Sequence, residues 1–526
     1  MLLRNSFCRT LAAVMTMTGT SLLSSGQDQH TCVSDLPAIH INTLDGNAIT
    51  SKDTYVPTTL RYVEPSGIVT VYDSVRVRGR GSATWTLEKK PYKLKFRNKV
   101  RMLGSTGANG KKWNLMANHT DKTLIRNAVA SFIGSLTGQK FTPGYRFVDL
   151  SVNGAYVGTY QLTDQIDIRK KRVDITEQPE ILTSLSNITG GYLLEIDGGA
   201  DPDEGTVFTT AKGVKIAVKS PDEDVIAQSQ TDYIAAHIQK FENALFADNW
   251  LNPVSGYRRY CDMPSLISWY IASELTGNPS AFSSTYFYKE KDDDKLYWGP
   301  MWDYEMAFNN DDRHGDLTES LIISRNYNAA KSFPWFERVN QDPAFFAEVS
   351  EAYQTLLGKG LKSHVLQFID DTSAAIEQSR MLNFGIYPID AKVHRELVLF
   401  SSYAEGIRYL KDFIDRRIDF LSQRFADRAV GKDPETSLPE FPALQNSTDD
   451  YYLVFSESDN TLRFIPADAT AQQPAGTFAI ASVAGTTVIS GQISERIHLD
   501  TLGHGVHIIS WTDMSGRTRA AKFTIK

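Results

Sequence analysis

Two periods divide this chain. Around residues 37–101, and again over 147–196, apolar side chains recur at every second position, the spacing of half-buried strands. Segments 38–41, 72–78 and 91–97 alternate β-branched or aromatic residues with polar ones between glycine-rich turns. Segments 147–152, 158–163 and 191–196 repeat the pattern, with a tight turn at Asn153-Gly154. Between the two groups Leu124, Ile125, Val129, Phe132, Ile133 and Leu136 share one helical face; this helix is predicted to open at Thr120-Asp121 and close at Gly138. From about Asp224 the helical period takes over. Helices are predicted over 232–246, 264–275, 345–357, 365–380 and 391–427, interrupted by a hairpin over 286–308, and their Leu, Ile, Phe and Tyr stripes read as core faces. Pro434, Pro439 and Pro442 mark a linker over 431–450. Short strands at 451–455, 461–464, 477–482, 488–493, 505–511 and 522–525 then predict a small all-β sandwich over 451–526. The fold class is therefore α+β: a β-rich lobe, an α-rich lobe and a sandwich tail.

Composition changes this picture only at the edges. At 526 residues the chain holds two or three domains, and 41% apolar with 22% charged residues is ordinary for a globular protein. A net charge of −7 argues against nucleic acid as the main partner, and no apolar run approaches a transmembrane segment. The first residues differ in kind. Arg4 and Arg9 precede an apolar stretch over 11–17 and Leu22-Leu23, then Ser24-Ser25-Gly26, which predicts a secretory signal peptide over 1–26 and a mature start near Gln27. Neither Cys8 nor Cys32 stands where a lipoprotein cysteine belongs, so export without a lipid anchor is expected, to the secreted fraction or the outer cell surface. Cys32 and Cys261 then remain, and the sequence leaves open whether they pair.

The common catalytic signatures are missing: there is no His-Glu-x-x-His, no Gly-x-Ser-x-Gly and no Cys-x-x-Cys. Residues 105–112 fail as a phosphate loop, because Ser105 replaces its first glycine and Lys112 follows Lys111 where a hydroxyl is needed. Two other places carry chemistry. Asp303 and Glu305 follow an aromatic strand read over 295–301, where a phosphoryl-transfer enzyme sets a metal ligand; read alone, Asp303 caps a turn. Arg78-Gly79-Arg80-Gly81-Ser82 is a glycine-broken turn followed by Lys89-Lys90-Pro91-Tyr92-Lys93. Backbone amides and strand-borne lysines of this kind approach phosphates, although a solvated basic hairpin reads the same way.

Taken in order, these segments resemble the spore-coat protein H (CotH) kinase-like family. The matching blocks are Arg78-Gly79, Ser82 and 89–96; Trp113-Asn114-Leu115, Asn118, Asp121-Lys122 and Arg126-Asn127; Val152-Asn153-Gly154 with Tyr156, Gly158 and Tyr160-Gln161-Leu162; Lys171-Arg172-Val173; Thr276-Gly277-Asn278; and Trp302-Asp303-Tyr304. The resemblance implies an atypical protein-kinase-like, two-lobed domain over 33–430 that binds ATP with Mg or Mn and phosphorylates secreted or surface proteins. By position it implies Arg78, Lys89, Lys90 and Lys93 as cofactor-binding residues and Asp303 with Glu305 as metal ligands. Departures bear on catalysis. Ser280 and Thr285 occupy the places of the family's catalytic Asp and metal-binding Asn, and the spacing to Asp303 is kept. A hydroxyl does not accept a proton near neutral pH as a carboxylate does, a contribution of roughly 10²–10⁴-fold. Arg80 stands where Asn is frequent, Asp164 where Glu is usual, and Glu305 where Asp is usual.

The tail, from Leu499-Asp500-Thr501-Leu502-Gly503 through Gly505-Val506-His507-Ile508-Ile509 to Lys522-Phe523-Thr524-Ile525-Lys526, resembles a type IX secretion sorting domain. That implies a Bacteroidetes-type source and secretion machinery as a partner. The combined expectation is an exported, nucleotide- and metal-binding pseudokinase. An active secreted kinase using Asp303 with Glu305, and a surface structural or adhesion protein using the fold as scaffold, are the alternatives.

Overall fold

The computed structural model describes residues 32–432, apart from 180–183, 199–204, 223, 283, 314 and 324–332, together with the strands of 451–525. The expected leader over 1–26, and residues 433–450 of the expected linker over 431–450, lie outside the described residues. The chain divides into two compact units, 1–435 and 436–526.

The first unit begins with seven strands: β1 (Ala38–Thr43), β2 (Val56–Val63), β3 (Val69–Gly79), β4 (Tyr92–Val100), β5 (Gly110–Met116), β6 (Tyr145–Val152) and β7 (Ala155–Asp164). They close into a barrel in the order β1-β2-β3-β4-β5-β7-β6. Every neighbouring pair is antiparallel except β1 with β6, which is parallel from Ala38↔Asp149 to Ile41↔Val152. The period-two residues fill the interior: Ile39, Ile41, Leu60, Val75, Val77, Leu94, Phe96, Trp113, Leu115, Leu150, Tyr160 and Leu162 form one buried cluster. Each side chain of this size stabilises by about 1.5–3 kcal/mol on burial. Strands β2 and β5 were not read from the sequence, because Pro57 and the Lys111-Lys112 pair look like loop residues.

Beyond the barrel, β8 (Tyr192–Asp197), β9 (Val207–Thr209), β10 (Lys215–Ser220), β11 (Ser284–Lys289) and β12 (Leu296–Trp298) form an antiparallel sheet ordered β12-β11-β8-β10-β9. The strand read over 295–301 is thus shorter than expected: Gly299, at φ +108°, and Pro300 end it. The helices are α1 (Ala83–Thr86), α2 (Arg126–Thr137), α3 (Gln228–Phe246), α4 (Met263–Thr276), α5 (Pro334–Val339), α6 (Pro343–Gly358), α7 (Leu361–Ala375), α8 (Glu377–Ile386) and α9 (Tyr403–Ala429). Their apolar faces and the inner face of the second sheet share one core, in which Trp269 stacks on Phe336 at 4.9 Å. Mixed α+β is therefore correct, with the β-rich part closed into a barrel and a second sheet among the helices.

Several helix boundaries differ from expectation. α2 starts at Arg126, because Leu124 takes φ +63° and the Asp121 carboxylate folds back to accept the Thr123 and Arg126 amides at 2.8 Å. Gly138, at φ +96°, closes α2 where expected. The segment 365–380 is split between α7 and α8 at Ile376. Residues 391–402 are not helical, because Lys122 Nζ takes the carbonyls of Pro388 (3.3 Å) and Ala391 (2.7 Å), and α9 begins only at the Ser402 cap. A buried clasp fixes α9: Arg417 Nη2 meets Glu274 Oε2 at 2.9 Å, and Nε meets the Glu274 carbonyl at 2.8 Å. Cys32 and Cys261 are free thiols. The Cys261 sulfur lies 3.2 Å from Trp298 Nε1, and Cys32 faces the Val63 carbonyl.

The second unit contains β13 (Tyr451–Ser456), β14 (Thr461–Pro466), β15 (Gly476–Ser482), β16 (Thr487–Gln492), β17 (Arg496–His498), β18 (Gly505–Asp513) and β19 (Thr518–Ile525). They make two antiparallel sheets, β13-β14-β17 and β16-β15-β18-β19. Leu462 and Ile497 from one sheet, and Phe478, Ile480 and Ile509 from the other, share one core, which makes the unit a sandwich. No described helix of the chain is long and apolar enough to cross a membrane.

Candidate functional site

A cavity of about 250 Å³ opens beside the β3–β4 connection. One wall is the glycine-broken turn, Arg80 to Thr84. Gly81 takes φ +78°, a conformation that costs other residues about 1 kcal/mol or more, so the turn needs glycine there. Lys89 and the end of β5 (Met116, Ala117, then His119 and Thr120) form the floor. Ser280, Asp303 and Glu305, with Arg313 and Arg395, close the far side.

The loop carrying the two carboxylates is held from both ends. Tyr304 N donates to Asn127 Oδ1 at 2.7 Å, and Asn310 Nδ2 donates to the carbonyls of Glu305 and Thr120 at 2.8 Å each. Asn127 Nδ2 in turn donates to Asn118 Oδ1 at 3.0 Å, which ties the loop to the turn before α2. Held this way, Asp303 sits at φ +65°, an uncommon conformation for a residue with a side chain and one that clusters at functional sites. Its side chain is solvent-accessible through the cavity, while Glu305 is buried.

Charge follows from that burial. Desolvation, then the neighbouring Asp303, pushes the Glu305 carboxyl up to about 8, and Thr120 and Arg80 pull against it. Desolvation raises Asp303 as well, and Arg80 lowers it. Lys89 is buried, with Nζ 2.5 Å from the Thr159 carbonyl and 4.8 Å from the Tyr160 ring centre; desolvation lowers it to about 7 against the attraction of Glu305. Gly158 makes that burial possible: at φ +112°, a β-carbon there would lie 2.6 Å from Asn383 Oδ1 and 3.0 Å from Lys89 Cε. Near neutral pH Glu305 leans toward its uncharged form, and Lys89 is divided between its two forms. His119 is lowered to about 4 by burial and by the charges of Lys89 and Lys122.

Of the residues singled out in the sequence, Lys89, Ser280, Asp303 and Glu305 line this cavity. Arg78, Lys90, Lys93 and Thr285 do not. Lys90 Nζ returns to the Trp85 carbonyl at 2.8 Å and bridges its own turn. Arg78 and Lys93 face each other across β3 and β4 on the outer face of the barrel. Burial, then Lys112, Arg78 and Arg80, lowers Lys93 to about 7. Thr285 is buried on β11, where its hydroxyl donates to the Ala281 carbonyl. Ser280 follows the Gly277 cap of α4; Asn278 Oδ1 accepts its amide at 3.0 Å, and Arg313 Nη2 lies 3.3 Å from its hydroxyl. Sequence reasoning missed His119, Arg313, Arg395 and the positioning role of Asn127. The Asn118 and Asn127 pair sits in a quoted motif, but its role needs the fold to be seen.

Among the described residues no group of three or more His, Cys, Asp or Glu side chains gathers as a metal cage. Asp303 and Glu305 are instead a two-carboxylate set. That suits Mg²⁺ or Mn²⁺, which take one or two carboxylates and complete their shell with water and substrate phosphate. Arg80, Arg313 and Arg395 bring positive charge to the same cavity, so the donor set fits a metal–polyphosphate rather than a resident structural metal.

A comparison with curated proteins finds no match. The family model described as CotH kinase protein matches residues 75–421, from the middle of β3 through most of α9 and including every residue of the cavity. A match over that share of the chain places it: the chain belongs to the CotH kinase family.

Proposed function

We propose that this is an exported, kinase-fold protein that binds a nucleoside triphosphate with Mg²⁺ or Mn²⁺ and has weakened or lost protein phosphotransferase activity. The observation that carries the reading is the composition of one cavity. An accessible carboxylate, Asp303, and its neighbour Glu305 face Arg80 and the glycine-broken turn, while the place of a catalytic base holds Ser280 under Arg313. Asp303 and Glu305 would hold the metal, which when bound neutralises charge on the transferring phosphate. Arg80 and the turn amides would orient the phosphates, and Ser280 leaves an attacking hydroxyl without a proton acceptor. In this reading the barrel and the helical part act as the two lobes of an atypical kinase, the leader directs export, and the sandwich tail engages secretion machinery. A secreted or surface protein is the substrate or partner.

Thermal melting with ATP and Mg²⁺ or Mn²⁺ tests it. Ligand at about 100 times its Kd stabilises by roughly 2.7 kcal/mol, and Asp303→Ala should remove the metal-dependent part. No shift with any nucleotide and metal would leave the fold as a scaffold. One observation favours an active kinase instead: Glu305, raised to about 8, lines the cavity and exchanges protons near neutral pH. Phosphoryl transfer lost in Glu305→Gln while nucleotide binding is kept would support that second reading.

A further inference from the structure

Two-metal phosphoryl transfer needs ligands for a second cation, and the cavity is short of them. Thr285, at the position of the expected metal-binding amide, has its hydroxyl committed to the Ala281 carbonyl and lies off the lining. Ser280 offers a hydroxyl that Arg313 already contacts. Three guanidinium groups, those of Arg80, Arg313 and Arg395, line the same cavity as Asp303 and Glu305, and the first two have described side-chain partners. Arg80 packs over the Trp302 ring at 5.1 Å and, among the described residues, its side chain hydrogen-bonds only the Met116 thioether, a weak acceptor. Its strong donors therefore remain available to a ligand. Arg313 is braced by both oxygens of Asp311. Each guanidinium carries one positive charge that no pH change in the ordinary range removes; Asp311 already balances that of Arg313, so Arg80 brings the larger share of uncompensated charge to the phosphates.

We infer that this is a one-metal nucleotide site, in which Arg80 and Arg313 take the charge-neutralising place of a second divalent cation on the phosphates. The inference rests on the nucleotide-binding reading above and adds a stoichiometry to it. Arg80 would bind through a fixed fork, with Arg313 beside it held by Asp311, so the phosphate would be oriented on their side and the single metal on the side of Asp303 and Glu305.

The test counts metal. The full chain is titrated with Mn²⁺ in the presence of a non-hydrolysable ATP analogue, and bound Mn²⁺ is measured by electron paramagnetic resonance beside nucleotide binding by calorimetry. One Mn²⁺ per bound nucleotide is expected in the wild type. Arg80→Gln should weaken nucleotide binding by about tenfold, the scale of a lost charge-assisted hydrogen bond, and Arg80→Lys should recover only part of it, because the ammonium keeps the charge but not the fork. Arg313→Gln, checked by its melting temperature, gives a second reading should Arg80→Gln fold poorly. Two Mn²⁺ per nucleotide in the wild type, or Arg80→Gln binding as the wild type does, overturns the inference while leaving nucleotide binding intact. No nucleotide binding at any Mn²⁺ concentration overturns both.

Discussion

Arg313 Nη2 lies 3.3 Å from Ser280 Oγ, while Asp311 grips the same guanidinium through Nε at 2.8 and 2.9 Å. The position that should carry a proton-accepting carboxylate is thus already in the field of a fixed cation. A carboxylate introduced at 280 would pair with that cation, and its basicity would drop.

Wild-type autophosphorylation with labelled ATP is expected near background. Restoring Ser280→Asp with Thr285→Asn should raise it by about 10²-fold or more. Robust wild-type turnover that survives mutation of Ser280 would show that the replaced residues were never needed.

Glu305→Gln should stabilise the fold. The carboxyl titrates at about 8 in the fold against an ordinary value near 4.5, so its ionisation opposes folding increasingly as pH rises from 4.5 to 8 and uniformly above. The amide removes that cost. The melting-temperature gain should be small at pH 5 and largest at pH 8 to 9, about 2 kcal/mol or more. A gain that does not grow with pH would mean that Glu305 is not held protonated.

Acid should destabilise the first unit through two histidines. His119 and His237 are both lowered to about 4 and are neutral in the fold. Unfolding lets them take up protons below about pH 6.5, so the stability is present above that value and is lost as pH falls toward 4, on the order of 2 kcal/mol for the pair. His119→Gln with His237→Gln should flatten the melting temperature over that interval.

Asn127→Ala should cost about 1–3 kcal/mol, because the buried Tyr304 amide loses its acceptor. The more telling readout is nucleotide binding. Asp303 is held at its positive φ by the next residue, so Asn127→Asp, which keeps an acceptor, should bind nucleotide better than Asn127→Ala.

Export is checked by mass spectrometry of secreted material, which should show an N-terminus close to Gln27. An intact Met1 on cytoplasmic protein would contradict the signal-peptide reading.

The residues explain what could be read in advance. Ile39, Val75, Leu94 and Leu150 alternate with polar neighbours, and the barrel wall follows from them; Gly138 announced the end of α2. Closure itself was not legible, because the parallel β1–β6 pairing joins segments far apart in sequence and β2 carries a proline. Local pattern also misled where a distant side chain overrides it, as Lys122 does for residues 388–391. At the site, Asp303 and Glu305 were found through their aromatic setting. Lys93 was grouped with Lys89 because the two are close in sequence, but the strand pleat sends Lys93 outward. His119 and Arg313 belong to no motif and are visible only once three separate loops are brought together.

The barrel closes its ring of strands, so the edge it offers an added strand is limited to stretches that outrun their neighbours, such as 69–74 of β3, which β4 does not pair. The free edges of the second sheet, β9 and β12, are only three residues long each. Among the described strands a partner of this unit therefore finds little edge for backbone pairing, and side chains and charge have the larger part in choosing it. The same shortage of open edges also protects the unit from edge-to-edge aggregation.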